Sequence, residues 1–498
     1  MSAPVISTRR IPSGVPGFDE ALQGGLPRDT LLLIEGPPGS GKTTFGLQFL
    51  LQGVRDGGTC LLATNAESLE QLKSIAASHG WNLDGIHITE FTEAAGTDDD
   101  KGADYTLFPE AEVELGETLQ HLFAEIERLR PTLLVLDTIS VLRVLAPTPA
   151  FYRRQLRRIR EFVLAHSCTT LMLDEASRLD EKDLRSQTLA DGIVELHQLD
   201  FKYGPDRRQL RVRKLRGCSY FSGAHDFTIV TGGLIVYPRL VARTHAEIPT
   251  YESLSSGIAQ LDALLGDGLS RGSCTLVMGP AGSGKSTIAT IYAMAAAERG
   301  QHCSVLLFDE SVESHIARSR GLGLNIAPEI EAGRIRVNDL DPAELSPGQI
   351  ANLLVRQVEG ENVGLVVIDT VNGYLQSAAE EQAVYLHLRE LVSYLRRRRV
   401  VTLLTLTEHG ILGSDRSTPI DVSFLADNVL LLRYFEAQGA IHQALSVVKK
   451  RTGQHERTIR ELTLKPGGIG ISEPLEDLTG VLSGTPQFMC VDEVKGRL

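Results

Sequence analysis

Gly36-Pro-Pro-Gly-Ser-Gly-Lys42-Thr43 decides the fold, and it returns as Gly279-Pro-Ala-Gly-Ser-Gly-Lys285-Ser286. Both stretches satisfy G-x-x-x-x-G-K-[ST]. In that pattern the glycines let successive backbone N–H groups converge on phosphate oxygens, the lysine reaches the β/γ-phosphates and the hydroxyl joins Mg²⁺. Each follows an apolar strand-like run, Thr30 to Ile34 and Ser273 to Met278, and opens a helix-like segment. That context separates a phosphate loop from an ordinary Gly-rich turn. The expected contacts are Gly39, Ser40, Gly41, Lys42, Thr43 and Thr44 in one copy, and Gly282, Ser283, Gly284, Lys285, Ser286 and Thr287 in the other. Two nucleoside triphosphates are therefore expected to bind.

Outward from the loops the whole chain repeats. Ser13-Gly14 with Asp19 returns as Ser256-Gly257 with Asp262, and Glu67-Ser68 as Glu310-Ser311, all at the 243-residue offset of the two lysines. Two apolar runs end in Asp137-Thr138 and Asp369-Thr370, where the offset has shrunk to 232. The first copy thus carries about eleven extra residues, assigned to the acidic segment Ala94 to Asp104, which reads as a solvated loop. Lys214-Leu-Arg216 returns as Lys449-Lys-Arg451. Strands alternating with helical patterns predict, for each copy, an α/β domain with a mainly parallel sheet between helices. Closely spaced strands near Ile193 to Tyr237 and Asn428 to Ile471 predict an antiparallel extension. The expected domains are residues 1–243 and 244–498.

Asp137 and Asp369 end buried strands, where ligands meet an open α/β sheet. With Thr43 and Ser286 they are the expected Mg²⁺ ligands; the competing reading is an aspartate that caps the next helix. Glu67 and Glu310 are expected to end the strand beside the phosphate-loop strand and to act as general base on water. The competing reading is a surface acid at a helix start. Lys214, Arg216, Lys449 and Arg451 lie far from their own loops and suit stabilisation of transition-state charge from a neighbouring subunit.

The 498 residues are long enough for two or three domains, and 42% hydrophobic content is that of a globular protein. A net charge of −13 argues against a surface built to coat a polyanion. Arginine runs at Arg153 to Arg160 and Arg396 to Arg399 lack interleaved aromatics for base stacking, so they read as solvated helix faces or subunit contacts. The six cysteines form no C-x-x-C pair, and no apolar run nears membrane-spanning length. A reducing cytoplasm is the expected location, with no nucleic-acid or membrane partner.

These features resemble the KaiC-like family of double-domain RecA-type ATPases. Its markers here are Gly17-Phe18-Asp19 leading to Gly24-Gly25-Leu26-Pro27, Thr44 to Leu50 after the loop, Lys214 to Gly217 with Phe227-Thr-Ile229, Asp427 to Tyr434 with Glu436, and Val447 to Arg451 with His455 and Ile459-Arg-Glu461. The resemblance implies two tandem RecA-like P-loop domains and a homohexamer with Mg-ATP at subunit interfaces. It also implies slow hydrolysis in the first domain, autokinase or autophosphatase activity in the second, and a KaiB-like or signalling protein as partner. Where the family has two adjacent glutamates, this chain has Ala66-Glu67 and Asp309-Glu310, so Asp309 joins the catalytic set. The family's paired phosphoacceptors align with Ser423-Phe424, which leaves Ser423, with Thr418 matching a further family hydroxyl. The short tail after Ser483 to Pro486 argues against KaiA-type control, and points to a signalling or stress ATPase rather than a clock. Two other readings stand beside it: a RecA/RadA-type DNA motor, and a nucleotide-switched ring with little catalysis.

Overall fold

The computed structural model describes residues 9–90, 110–175, 185–200, 204–240, 252–377, 381–408, 422–466, 468–483 and 487–488. The acidic segment Ala94 to Asp104, the 243/244 boundary and Thr418 lie outside the described residues. The chain divides into two compact units that part at Arg239 and Leu240.

In the first unit the central strand is Leu31–Gly36, all six residues buried. Strands buried on both faces read as continuous apolar runs, because helices cover both sides of a parallel sheet. Leu32 and Ile34 pack with Phe45 and Phe49 of helix Lys42–Arg55. Leu31 and Leu33 point the other way, toward Leu156 and Ile159 of helix Pro149–Ala165. That second helix begins with Thr148, whose hydroxyl accepts from Phe151 N–H, followed by a proline at its first turn. Its buried Tyr152, Leu156, Ile159 and Val163 recur at helical spacing, so the intervening arginines are the outward complement of one apolar stripe.

Across this sheet the strand order is Gly233–Tyr237, Ala224–Val230, Arg207–Leu215, Gly192–Leu199, Leu31–Gly36, Thr169–Glu175, Leu133–Asp137, Cys60–Thr64 and Ile86–Glu90. From Gly192–Leu199 to Ile86–Glu90 every pairing is parallel. The remaining three strands extend it antiparallel. The second unit repeats the plan around Cys274–Gly279, with Val401–Thr407 and Asn428–Ala437 on either side of it. Both units are thus RecA-like α/β domains with an antiparallel wing, as the repeat predicts.

One expectation is overturned. Glu67 and Glu310 do not follow the strand beside the phosphate-loop strand. Cys60–Thr64 is separated from Leu31–Gly36 by Leu133–Asp137 and Thr169–Glu175, and His302–Leu307 is likewise two strands removed from Cys274–Gly279. Strands later in the chain insert between, because a parallel crossover can skip places in a sheet and sequence adjacency does not record the skip.

Candidate active sites

Each phosphate loop runs from its strand into a helix, Lys42–Arg55 or Lys285–Glu298, whose N-cap glycine is left-handed, Gly41 at φ 95° and Gly284 at φ 99°. A side chain there would be strained, and a Cβ on Gly41 would also meet Ile229 at 2.6 Å. Ser40 and Ser283 are fully buried, and neither hydroxyl has a partner among the described residues. Lys42 Nζ donates to the Gly36 and Pro37 carbonyls at 2.8 and 3.0 Å, and Lys285 Nζ to those of Gly279 and Pro280 at 3.0 and 2.8 Å. Buried ammonium, unpaired hydroxyl and helix N-terminus fit a triphosphate.

Thr43 Oγ1 donates to Asp137 Oδ2 at 2.8 Å, joining the two expected Mg²⁺ ligands of the first copy. Burial raises the Asp137 carboxyl, against the opposing effects of Thr43 and Lys42. In the second copy Asp369 Oδ1 instead accepts from Thr405 Oγ1 at 2.5 Å. These carboxylates, with Thr43 and Ser286, are the groups that would hold Mg²⁺.

The strand-terminal acids part company between copies. Asp309 Oδ2 accepts from Thr370 Oγ1 at 2.7 Å, and its charge reaches Lys285. Glu310 turns away to helix Val312–Gly321, where Arg318 holds it at 2.6 Å and His315 Nδ1 lies 2.9 Å from it. Burial opposes ionisation there, but the His315 and Arg318 hydrogen bonds and charges outweigh it and bring Glu310 down to about 2. In the first copy, Leu72 and Ile75 stand at the places of His315 and Arg318. Glu67 is not clamped in this way, and its charge reaches Asp137.

The late-strand cations sit at the end of the phosphate-loop strand opposite their own loops. Arg216 N–H donates to the Asp191 carbonyl, and its side chain to Asp191 Oδ1 at 3.3 Å. Asp191 Oδ2 accepts from Leu31 N–H, at the start of the phosphate-loop strand. The second copy repeats this with Arg451, Asp427 and Cys274 N–H. A six-residue strand is about 20 Å long, so neither arginine reaches its own phosphate loop. Both arginine side chains remain 52% exposed. The same aspartates take Arg160 and Arg396 from the two arginine runs. Lys214 donates to the Gln187 and Ala190 carbonyls, and Lys449 to that of Ser423 at 3.0 Å. Beside Ser423, Phe424 is exposed and lies 4.9 Å from the Tyr385 ring.

Sequence reasoning passed over two acids, Glu175 and Glu408, which close Thr169–Glu175 or directly follow Val401–Thr407. These are the strands that do adjoin the phosphate loops. The repeat offset of 233 between them was the available signal. Burial lowers Lys42, opposed first by Glu175 and then by Asp137; for Lys285 the opposing charges are Asp369, Glu408 and Asp309. Among the described residues, no helix is long and apolar enough to cross a membrane.

A family model described as the KaiC ATPase matches residues 11–241 and again 254–476. The chain is 26% identical to circadian clock protein KaiC3 of Synechocystis sp., over 98% of this chain and 96% of that protein. It is 29% identical to KaiC2 of the same organism, over 97% and 85% respectively. To the circadian clock oscillator protein KaiC of Thermostichus vulcanus it is 25% identical, over 97% and 93%. Two matched repeats, each built on a phosphate loop, a strand-terminal aspartate and an antiparallel wing, make this chain a member of the KaiC family of ATPases.

Proposed function

We propose that the chain is a homohexameric Mg-ATP hydrolase with nucleotide at the subunit interfaces of both domains. It acts in the cytoplasm in signalling, stress or clock-like regulation, through a KaiB-like or signalling protein partner. The observation that carries this reading is the separation, in both copies, of phosphate loop and late-strand arginine to opposite ends of the phosphate-loop strand. Each arginine is half-exposed and held by an aspartate, so it is presented to another molecule's triphosphate rather than its own.

Bound Mg²⁺ would neutralise phosphate charge and fix the β/γ oxygens. The loop N–H groups and Lys42 or Lys285 orient the γ-phosphate. Asp309 in the second site directs a carboxylate toward the attacking water, and in the first site Glu67 bears by its charge on Asp137. Glu310 serves the second site by anchoring helix Val312–Gly321, since a carboxylate at about 2 in an arginine pair is a weak base. Ser423 is the proposed acceptor for autophosphorylation, with Thr418 as a further acceptor.

Incubation with γ-labelled ATP, following free phosphate and protein-bound label separately, tests the reading. Phosphate release is expected to fall at least tenfold in a Lys42→Ala, Lys285→Ala double variant, with any label mapping to the peptide containing Ser423. Release unchanged in the double variant refutes hydrolysis at these loops. Label absent from the parent protein refutes the kinase part alone.

A further inference from the structure

The strand next to each phosphate-loop strand leads to an acid, and the two acids keep different company. Gly36 and Glu175 are register partners across the sheet. Asp174 faces Ser140 and Arg143, so alternation along the strand turns Glu175 to the opposite face, that of Leu173 and helix Lys42–Arg55. On that face lies Lys42, and among its neighbours Glu175 outranks Asp137 in electrostatic influence. Glu408 approaches Lys285 in the same manner, but Arg433 pairs with it at 2.7 Å. Among the described residues, the Glu175 side chain has no ion pair or hydrogen bond, and it is exposed. Its backbone N–H is engaged by Ser140 Oγ at 3.2 Å.

The first copy is also the one with Ala66 where the second has Asp309. Glu67 lies beyond a strand two places further out, and its charge bears on Asp137. Glu175 bears electrostatically on both Lys42 and Asp137, and its register partner Gly36 is the residue that opens the phosphate loop.

We propose that Glu175 is a catalytic carboxylate of the first ATP site and takes the proton of the attacking water, a role that Glu408 gives up to Arg433 in the second. The inference rests on the hydrolase reading above. The water oxygen bonds to the γ-phosphorus as the bond to the β–γ bridging oxygen breaks. ADP departs with that electron pair, and inorganic phosphate is formed. The water proton passes to Glu175 and then to solvent, to which the exposed carboxylate is open.

The test uses the full chain, taking first-site turnover as the phosphate release lost in Lys42→Ala. Glu175→Gln, Glu175→Asp and Glu67→Gln are compared across pH, with ATP affinity read by a fluorescent ATP analogue and assembly by light scattering. Glu175→Gln is expected to lower first-site kcat about a hundredfold, with KM, ATP affinity and mass unchanged and the acid limb of the pH profile gone. Glu175→Asp is expected to recover part of the rate. First-site kcat within threefold of the parent in Glu175→Gln overturns the proposal, as does a loss that follows ATP affinity or assembly. Equal phosphate release by the parent and Lys42→Ala instead refutes first-site hydrolysis itself.

Discussion

At Glu35 and Met278 the two copies differ by one buried charge at the same step before the phosphate loop. Glu35 is register-paired with Asp174 on one side and Glu195 on the other, whereas Met278 sits between Leu406 and Leu431. Burial raises Glu35 to about 7, aided by Asp174 and Glu195 and opposed by the Gln187 hydrogen bond and Arg143. A carboxyl raised from 4.5 binds more protons folded than unfolded, so its contribution is present at low pH and is lost as pH climbs to about 7. Glu35→Gln removes that loss. Urea unfolding of the first domain is expected to show the variant gaining about 1–3 kcal/mol over the parent at pH 8, and little near pH 5. A pH-independent difference contradicts the assignment. Nothing in the sequence marked Glu35 as special, because a single acid in an apolar strand shows its cost only once its cross-strand neighbours are known.

Among the elements, helix Lys42–Arg55 does most to hold the first site in place. Ten of its residues are buried, and Phe45 meets Phe18 edge-on at 5.1 Å between ring centroids. Phe45→Ala is expected to cost about 3–5 kcal/mol of first-domain stability in denaturant unfolding, and to weaken ATP binding there. Full ATP affinity in the folded variant would show that the loop holds its shape without the helix. This element was legible from residues alone, since loop, cap and apolar pattern are all local. Sheet order was not. Glu67 was readable as a strand-terminal acid, but its distance from the phosphate-loop strand depended on two crossovers that leave no mark at Glu67. Glu175 was hidden for the same reason: its own sequence, Leu173-Asp174-Glu175, shows only the end of an apolar run. The Asp191 and Asp427 contacts were equally out of view, because each joins four segments distant in the chain. They explain one arginine of each basic run that composition alone could only call a solvated face.

For the whole molecule, the proposed assembly makes a complementation experiment decisive. Arg216→Ala keeps its loop and lacks the outward arginine, and Lys42→Ala has the reverse defect. Each alone is expected to lose first-site turnover. Mixing equal amounts before assembly restores one working interface in about four under random closed-ring assembly, so about a quarter of first-site turnover should return. No recovery from co-assembled subunits contradicts action across an interface.

The outward cations of the first copy are also mechanically joined to the strand that carries its loop. Arg216 shares Asp191 with Leu31, the strand's first residue, and Lys214 holds the Gln187 carbonyl while the Gln187 amide holds Glu35, near the strand's last. The second copy has the first of these tethers, through Asp427 and Cys274, but Met278 offers nothing for a second. A tug on the late-strand cations of the first domain is therefore felt at both ends of its phosphate-loop strand, and in the second domain at one. In a closed ring built this way, load would pass from subunit to subunit more stiffly through the first domain than through the second.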